Sequence, residues 1–399
     1  MAKKAVAAVL GHQVRRLVKK NNLKVVGVVG SIGKTSTKLA IATVLGAGYR
    51  VRSQEGNYND IITVPLIFFG EQTPSLFNPF AWLAVFWRNQ KQLRSSYPYD
   101  VAVIEMGSDE PGLISPFKNY LNLEIGVITA ITPEHMANFA DMDAVAKEEL
   151  AISQMSSLIL ANTDLVDAKY LKEIPELLTY AINKSADYSP KNLDVDTKLS
   201  EPEVYSRLAA AAVAQKLGMQ PADIKKGLAS IKPVPGRMQK LAGINGSTII
   251  DDSYNASPAA AKLALDYLYS LESPQKIAVL GNMNEMGDYS QAAHKEVGEH
   301  CDPKQLSLVV TIGADAEKYL APAAEAKGCK VHSFNDPYTA GEYLKPILKK
   351  DAVVLVKGSQ NGVFAEETIK FILADQKDTQ KLVRQSDYWL RTKGKAFKR

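Results

Sequence analysis

A glycine-rich turn near the start of the chain has the residue types and spacing of a phosphate-binding loop. The stretch "VVGVVGSIGKTSTKLAIATVL", Val25 to Leu45, joins an apolar run, a polar turn and a helix-like run. Backbone N–H groups at the start of a helix bind phosphate oxygens. We expect the phosphates of a nucleotide, ATP or GTP, to be held by Gly30, Ser31, Ile32, Gly33, Lys34, Thr35 and Ser36. Lys34 would reach the β- and γ-phosphates and the Thr35 hydroxyl would bind Mg²⁺. Val28 stands where the full P-loop motif has its first glycine.

Two side chains in the first half could add metal ligands to this loop. Glu105 ends the strand-like run "VAVIEMG", and a carboxylate there could supply a second Mg²⁺ oxygen. His135 follows the strand-like run "VITAI", but a lone histidine is also compatible with a structural role. The next helix carries Lys147, Glu148 and Glu149, a charge run of the kind that often faces solvent.

The second half contains polar groups suited to a nucleotide and a carboxylate. They lie in "PVPGRM", which contains Arg237, in "DDSYNASP" from Asp251 to Pro258, and in "VLVKGSQNG" from Val354 to Gly362. Arginine pairs with phosphate, asparagine and aspartate pair with the polar edges of a nucleotide, and lysine pairs with a carboxylate. Each stretch taken alone is also compatible with an ordinary turn.

The elements that must position these residues alternate along the chain. Short β-rich runs such as "KVVGVVG", "DVAVIEMG" and "LEIGVITAI" are each followed by a loop and a helix-like segment, which predicts a parallel sheet with crossover helices. The pattern breaks at "SIKPVPGRMQKLAG" and a second α/β series then begins. The predicted fold is therefore α/β, with a P-loop ATPase domain followed by a Rossmann-like domain. The predicted segments are an N-terminal amphipathic helix over 1–23, a central ATP-binding domain over 24–233, a C-terminal domain over 234–375 and a basic tail over 376–399.

Composition restricts the class of protein. The net charge of +5 is small for 399 residues, so nucleic acid is not an expected partner. The two cysteines, Cys301 and Cys329, show neither metal-ligand spacing nor the density of a disulfide scaffold, which favours the cytoplasm. No run reaches the roughly 20 apolar residues of a membrane span.

Two segments could contact a membrane surface. The insert over 72–99 contains Trp82, Phe86, Trp87, Arg88, Lys91 and Arg94, which would form an aromatic and basic face if they were exposed. A helix buried against the domain or a partner chain is the alternative. The basic tail, with Tyr388 and Trp389, either lies in solvent or contacts an anionic surface.

Taken together, the motifs resemble those of the Mur ligase family over roughly residues 24 to 370. In order they are "VVGSIGKTSTK", "EGNYNDIITVP", "AVIEMGSDEPGLI", "VITAITPEHMANF", "PVPGRM", "IIDDSYNASP", "AVLGNMNEMG" with "HKEVG", and "VLVKGS". The most similar branch is the MurF type, which adds D-alanyl-D-alanine to a UDP-N-acetylmuramoyl peptide.

This resemblance implies an ATP-dependent amide ligase of peptidoglycan precursor synthesis. It places Mg²⁺ on Thr35 and Glu105 and a second metal on His135, with Lys34 and His135 in catalytic roles. Arg237 and Asn255 would complete the ATP site. The residues expected to handle the acceptor and the incoming amino acid or dipeptide are Asn57, Asn59, Asp252, Lys357 and Ser359.

Three departures from the family pattern concern the metal site and the acceptor. The family carries a carbamoylated lysine where gapless counting places Glu149, so we expect Glu149 to supply that negative charge and to act as a catalytic metal ligand. Carbamoylated Lys147 is the alternative. Only some 23 residues precede the first strand, where the family usually has a UDP-sugar-binding domain. In "EPEVYSRLAAAAVAQKLG", Pro202, Glu203 and Ser206 also replace residues of the family pattern.

The second and third departures leave the acceptor open. It could be a soluble muropeptide or a lipid-linked one, the latter used at the inner face of the membrane, and a partner protein could supply the acceptor-binding domain. Ligases of the cyanophycin, poly-γ-glutamate or folylpolyglutamate type are an alternative, as is a non-catalytic ATP-binding scaffold.

Overall fold

The computed structural model describes residues 2–54 and 58–397, and the chain divides into two compact units. Unit 1 comprises the described residues of Met1–Thr132 and Phe139–Ile231. Unit 2 comprises Pro133–Asn138 and the described residues of Lys232–Arg399. Residues 133–138, which contain His135, therefore group with the C-terminal half although they precede it in sequence.

Within its described residues, unit 1 is built on a parallel sheet of six strands in the order β2-β3-β1-β4-β5-β6. The strands are β1 (Lys24–Val29), β2 (Val51–Arg52), β3 (Val101–Glu105), β4 (Ile125–Ile128), β5 (Ile159–Asn162) and β6 (Leu177–Tyr180). Strands β1, β3 and β4 are almost fully buried, as expected for a parallel sheet with both faces covered. The P-loop follows β1, and Glu105 is the last residue of the neighbouring strand β3, so both lie at the same edge of the sheet.

Helices cover this sheet. They are α1 (Ala2–Asn21), α2 (Lys34–Leu45), α3 (Thr63–Phe69), α4 (Pro79–Arg94), α5 (Met142–Leu150), α6 (Pro190–Leu193), α7 (Glu201–Lys216) and α8 (Pro221–Ala229). The alanine-rich face of α7 lets it pack closely on α2 in the main core of unit 1. Glu203 caps α7, because its carboxylate accepts from the Ser200 N–H and hydroxyl at 3.2 and 2.8 Å. The Ser206 hydroxyl donates to the Glu203 carbonyl. Two of the three α7 residues that differ from the family pattern, Glu203 and Ser206, therefore have roles within the helix.

Within its described residues, unit 2 has a second six-stranded sheet, in the order β11-β10-β9-β12-β8-β7. Its strands are β7 (Gln239–Ala242), β8 (Thr248–Asp252), β9 (Lys276–Gly281), β10 (Leu308–Ile312), β11 (Val331–Phe334) and β12 (Val353–Lys357). Edge strand β7 is antiparallel to β8 and the other pairs are parallel. The helices are α9 (Pro258–Ser270), α10 (Ser290–His300), α11 (Ala321–Ala326), α12 (Pro337–Leu344), α13 (Glu366–Lys370) and α14 (Asp387–Ala396).

The two sheets confirm the predicted α/β fold class. Each has apolar clusters of helix and strand residues against it, the arrangement that alternating strands and helices predict. The basic tail is not a solvated segment throughout, because α14 folds there and Lys393 is buried. No helix of the described chain combines the length and apolarity required to cross a bilayer.

Candidate active site

The predicted phosphate loop connects β1 to α2 in a conformation that depends on its glycines. Gly30 has φ +126° and Gly33 has φ +83°, values that L side chains rarely adopt. A Cβ on Gly30 would also lie 2.8 Å from the Ala130 backbone nitrogen. The Ser31 N–H donates to the Ala130 carbonyl, and the Thr129 hydroxyl donates to the Ile32 carbonyl. These contacts fix the turn at the start of α2, where backbone N–H groups can bind an anion.

Lys34 and Thr35 open α2 on the loop side. The Lys34 ammonium folds back onto the Gly30 carbonyl at 2.6 Å, so its charge lies over the loop. The Thr35 hydroxyl donates to Glu105 Oε1 at 3.2 Å. Ser36, the last residue of the predicted loop, is half-buried in the same first turn of α2.

Glu105 is shared between Thr35 and a buried lysine that sequence analysis missed. Its Oε2 lies 3.1 Å from Lys38 Nζ, and the Lys38 side chain is only 2% exposed. Lys38 lies one helical turn after Lys34 and faces the core side of α2. A hydroxyl beside a carboxylate is an oxygen donor set that suits Mg²⁺, which usually takes one or two carboxylates together with phosphate oxygens and water. Within residues 2–54 and 58–397, no three His, Cys, Asp or Glu side chains converge as a metal cluster.

The charge run on α5 is buried rather than solvated at two of its three positions. Glu149 Oε2 accepts a 2.7 Å hydrogen bond from the Gly30 N–H, the first residue of the phosphate loop. The two Glu148 oxygens accept from the Gly112 and Ile114 N–H groups, each at 2.6 Å. Lys147 is exposed. Glu149 therefore lies on the side of α5 that faces the phosphate loop, and Lys147 points away from it.

Of the two predicted acceptor-binding asparagines, Asn57 lies outside the described residues. Asn59 lies against the backbone just after β3, where the Gly107 N–H donates to the Asn59 carbonyl at 3.1 Å. A Cβ on residue 107 would lie 2.4 Å from Asn59 Nδ2, so glycine at 107 is needed for this approach. The Asn59 side chain is consequently close in space to the strand end that carries Glu105.

In unit 2 the structure brings four predicted residues together at the carboxyl ends of β8 and β12. Lys357 Nζ donates to Asp252 Oδ2 at 2.6 Å and to the Asn255 carbonyl at 2.9 Å. The Ser359 hydroxyl donates to Asn255 Oδ1 at 3.0 Å. Because β8 and β12 are parallel neighbours, their ends meet at one edge of the sheet, where ligands of open α/β sheets bind.

Arg237 reaches the same loop from the segment before β7. Its guanidinium lies 4.3 Å from the centre of the Tyr254 ring, within cation–π distance. The Tyr254 N–H donates to the Gly236 carbonyl at 3.0 Å. Behind the loop, burial raises the pKa of Asp251 to about 7, although the Ser253 hydroxyl and N–H both donate to its carboxylate.

His135 is held within unit 2 by an acidic residue that sequence analysis missed. Its Nδ1 lies 2.7 Å from Glu285 Oε2, and the Ala137 N–H donates to the Glu285 carbonyl at 3.1 Å. Both residues have positive φ, +53° and +64° respectively. The hydrogen bond from His135 lowers the pKa of Glu285, although partial burial opposes this. Glu285 belongs to "GNMNEMG", a motif whose strand-end position could have marked it as a site residue.

Arg384, just before the C-terminal helix α14, contacts the loop that carries Tyr254, and Lys393 of α14 donates to the Arg384 carbonyl. Lys393, only 1% exposed, lies 2.9 Å from a carboxylate oxygen of Glu366 and 2.6 Å from one of Glu367. Arg384 is bidentate to Glu366 and also donates to the carbonyls of Ser253 and Tyr254, at 2.7 and 3.1 Å. Burial alone would raise the pKa of Glu367, but hydrogen bonds from Lys370 and Lys393 outweigh it and hold the pKa below its ordinary value.

Replacing Lys393 by methionine should lower the free energy of unfolding by about 2–3 kcal/mol, because two buried carboxylates lose a shared cation while Arg384 and Lys370 still pair with them. Urea denaturation followed by circular dichroism would measure the change. Lys395→Met, on an exposed position of the same helix, is the matched control and should be neutral. Equal stability of the two variants would show that the buried ion cluster contributes nothing.

Comparison with known proteins identifies the family of both halves of the chain. The Mur ligase middle domain matches residues 28–214, and the Mur ligase glutamate ligase domain matches residues 236–360. The UDP-N-acetylmuramoyl-tripeptide–D-alanyl-D-alanine ligase of Bacillus subtilis is 28% identical over 380 residues, which cover 88% of this chain and 76% of that protein.

Solved structures show the same fold. MurF from Acinetobacter baumannii superimposes with a TM-score of 0.73 at 22% identity, covering 92% of this chain and 79% of that one. MurF from Thermotoga maritima, in complex with ADP, gives 0.72 at 23% identity, covering 94% and 84%. Because these structures are only 22% and 23% identical to this chain, the superpositions establish the fold alone. Family membership is established by the two domain matches. The chain therefore belongs to the Mur ligase family, of which it carries the middle domain and the glutamate ligase domain.

Proposed function

We propose that this protein is an ATP-dependent amide ligase of the MurF type, which joins an acceptor carboxylate to D-alanyl-D-alanine in peptidoglycan precursor synthesis in the cytoplasm. The observation that carries the proposal is the phosphate loop of unit 1, with Lys34 over it, Thr35 hydrogen-bonded to Glu105, and Glu149 on the Gly30 N–H. A simple nucleotide-binding protein needs the loop, but it does not need two buried carboxylates directed at it.

The phosphates of ATP would bind the backbone N–H groups from Gly30 to Ser36, with Lys34 on the β- and γ-phosphates. Thr35 and Glu105 would hold Mg²⁺, because their oxygens are adjacent and of the type that this ion prefers. Bound there, the ion would neutralise charge on the transferred phosphoryl group. Arg237 and Asn255 are proposed as further nucleotide-binding residues, and His135 and Glu149 as metal ligands stay a prediction.

In the proposed reaction, a carboxylate oxygen of the acceptor attacks the γ-phosphorus, the bond to the bridging oxygen breaks, and ADP leaves. The product is an acyl phosphate. The amine of the incoming dipeptide then attacks the acyl carbon, inorganic phosphate leaves, and the amine nitrogen loses a proton. The protein's part is to hold the two reactants in line and to stabilise the charge that develops on phosphate.

The incoming dipeptide has a carboxylate of its own, and unit 2 offers a matching group. Lys357 lies at the end of β12 with its ammonium on Asp252 and on the Asn255 carbonyl. An ammonium held by one carboxylate can still donate to a second, because it has three N–H bonds. We propose that Asp252, Lys357 and Ser359 bind the dipeptide and that Asn59 contributes to the acceptor site.

Three alternatives compete with this assignment and make different predictions. A ligase of the folylpolyglutamate, poly-γ-glutamate or cyanophycin type would use another acceptor and an amino acid in place of the dipeptide. A scaffold would bind ATP without turnover. A MurF-type enzyme acting on a lipid-linked muropeptide would use the same amine but a different form of the acceptor.

Measurement of phosphate release from ATP tests the proposed function against these alternatives. The purified protein with Mg²⁺ and D-alanyl-D-alanine should release phosphate only when a muramoyl tripeptide acceptor is also present, either UDP-linked or lipid-linked. Lys34→Ala is the negative control, because it removes the cation over the phosphates without altering the two carboxylates. Release that is independent of amine or acceptor would contradict the proposal. Release that requires a different amine would favour another branch of the family, and activity that returns only with a cell extract would indicate a partner protein.

A further inference from the structure

Helices α1 and α4 of unit 1 lie side by side and run in the same direction. The Gln13 amide donates to the Phe86 carbonyl, and Asn89 donates to the Gln13 side-chain oxygen at 2.8 Å. Two turns further along α1, Lys20 Nζ donates to the carbonyls of Leu93 and Ser95. Leu10 packs with Trp82 and Val85 in a small apolar cluster of its own. The two helices therefore form one layer with a buried seam.

This seam corrects the aromatic face predicted from the sequence. Trp82 is buried and Phe86 is partly buried, so both face α1 and the apolar cluster. The exposed apolar residues are others. Phe77 is 97% exposed, Phe80 is 81% exposed and Trp87 is 67% exposed, and Leu76 and Leu83 are exposed as well.

The exposed residues of α4 form a continuous stripe, since Phe80, Leu83 and Trp87 are spaced by three and four residues and so lie on one face of the helix. Leu76 and Phe77 extend it past the helix start, which Asn78 caps. We call this set, Leu76, Phe77, Phe80, Leu83 and Trp87, the apolar stripe. Single exposed apolar residues are ordinary, but a contiguous set of large ones marks an interaction surface.

The charge around the stripe has one sign. Helices α1 and α4 contain nine lysines and arginines and no aspartate or glutamate, whereas the whole chain has 48 basic and 43 acidic residues. The excess of positive charge of the entire protein is therefore concentrated in these two helices. Lys91 and Arg94 are exposed at the end of α4, and Lys91 lies 6.0 Å from the Trp87 ring. Arg88 and Lys3 are exceptions, because they are paired with Glu71 and Asp60.

We propose that the α1–α4 layer is a docking surface for a bilayer that contains anionic lipid, with α4 lying in the plane of the interface. The apolar stripe would enter the boundary between head groups and acyl chains, and the basic residues would contact lipid phosphates. An amphipathic helix with aromatic residues on one face and lysine and arginine beside it binds membranes in this way. Each basic residue near an anionic surface adds to the attraction.

A second copy of this chain fits the same surface less well. Two copies of the layer would bring like charges together around the stripe, and like-charge contacts oppose association. An anionic bilayer offers acyl chains to the apolar stripe and phosphates to the basic residues. The charge pattern therefore favours a bilayer over a second copy of the chain. The inference does not rest on the proposed function, because membrane binding can be measured without ATP or acceptor.

The position of the layer gives the proposal a functional consequence. Ile62 lies in the apolar cluster of the layer, and Tyr58 and Ile61 pack against it. Asn59 lies between these residues in the chain. A bilayer on the α1–α4 layer would therefore adjoin the segment that we assign to the acceptor, as an acceptor carried by a membrane lipid would require.

Vesicle flotation tests the surface directly. The full-length protein should float with vesicles of phosphatidylcholine that contain about 30 mol% phosphatidylglycerol, and should float much less with phosphatidylcholine alone. Phe77→Ser with Phe80→Ser and Trp87→Ser should weaken binding to the anionic vesicles by about tenfold or more, because the apolar contribution is lost. Lys91→Gln with Arg94→Gln should weaken it by several-fold and reduce its salt dependence.

Matched controls lie on unit 2. Tyr388→Ser with Leu390→Ser removes exposed apolar side chains from α14, and Lys349→Gln with Lys350→Gln removes two exposed charges. Both control variants should float like the wild type. Circular dichroism and a thermal melt check that every variant is folded, which we expect since the replaced side chains are exposed.

Three outcomes would overturn the proposal. The first is wild-type protein that does not bind anionic vesicles, and the second is binding that the stripe variant leaves unchanged. The third is a wild-type dimer in sedimentation that the stripe variant converts to a monomer, which would assign the surface to a second copy. Loss of flotation in the stripe variant, with normal phosphate release in solution, would support the membrane surface and leave the proposed reaction intact.

Discussion

Glu149→Gln is expected to lower the turnover number by about a hundredfold or more, while the protein stays folded. The glutamine keeps a carbonyl oxygen in place to accept the hydrogen bond from the Gly30 N–H, which Glu149 now accepts at 2.7 Å. What it loses is the negative charge next to the phosphate loop. If Glu149 replaces the carbamoylated lysine of the family, that charge is needed for the reaction and for metal affinity. Steady-state phosphate release and a Mg²⁺ titration would measure both.

Lys147→Gln is the matched control, since Lys147 is two residues away on the same helix but exposed. We expect this variant to retain activity, and we expect the wild type to work equally well in buffers depleted of bicarbonate. Loss of activity in Lys147→Gln, or a requirement for bicarbonate, would instead favour a carbamoylated Lys147. Unchanged turnover and unchanged metal affinity in Glu149→Gln would refute the role given to Glu149.

Glu105→Gln should both inactivate the protein and destabilise it. Lys38 is almost fully buried and its ammonium lies 3.1 Å from Glu105 Oε2, so removing the carboxylate charge leaves a buried cation without its partner. Breaking a buried ion pair from one side typically costs about 3–5 kcal/mol. We expect a decrease of that size in the free energy of unfolding, measured by urea denaturation, together with loss of Mg²⁺-dependent phosphate release.

A double variant separates the two effects. Lys38→Met with Glu105→Gln removes the buried cation as well, and replacing both partners of such a pair is often neutral for stability. This protein should recover most of the lost stability yet stay inactive, because the carboxylate beside Thr35 is still missing. Recovery of activity in the double variant would mean that Glu105 acts only as the partner of Lys38.

Local sequence patterns were sufficient for the fold and for the phosphate loop. The loop is contiguous, and its glycines, lysine and hydroxyl residues are read from seven neighbouring positions, so no tertiary information is needed. The same is true of the strand ends that carry Glu105, Asp252 and Lys357. Parallel strands bring such ends to one edge, which is why Asp252, Asn255, Lys357 and Ser359 cluster in the structure.

Partners that depend on tertiary contacts could not be predicted in this way. The pairing of Lys38 with Glu105 joins residues 67 positions apart, and that of His135 with Glu285 joins residues 150 positions apart. The exposed face of the aromatic insert was left open for a related reason. Amphipathic periodicity shows that α4 has two faces, but it does not show which of them packs on α1, so burial of Trp82 and Phe86 stayed an alternative. The charge run on α5 does not show by itself which side chains are buried, although Glu148 and Glu149 accept hydrogen bonds from backbone N–H groups.

The ion cluster of Lys393 with Glu366 and Glu367 also has a consequence for how the chain folds as it is made. All the strands of unit 2 precede Lys393 in the sequence, so they leave the ribosome before the cation that these two carboxylates share. Domains generally fold during synthesis as their residues emerge. Unit 2 can therefore reach its final stability only after α14 has emerged. A nascent chain that stalls before this helix would keep Glu366 on Arg384 and Glu367 on Lys370 but would lack the cation that the two carboxylates share, and so it would be less stable and more open to proteases.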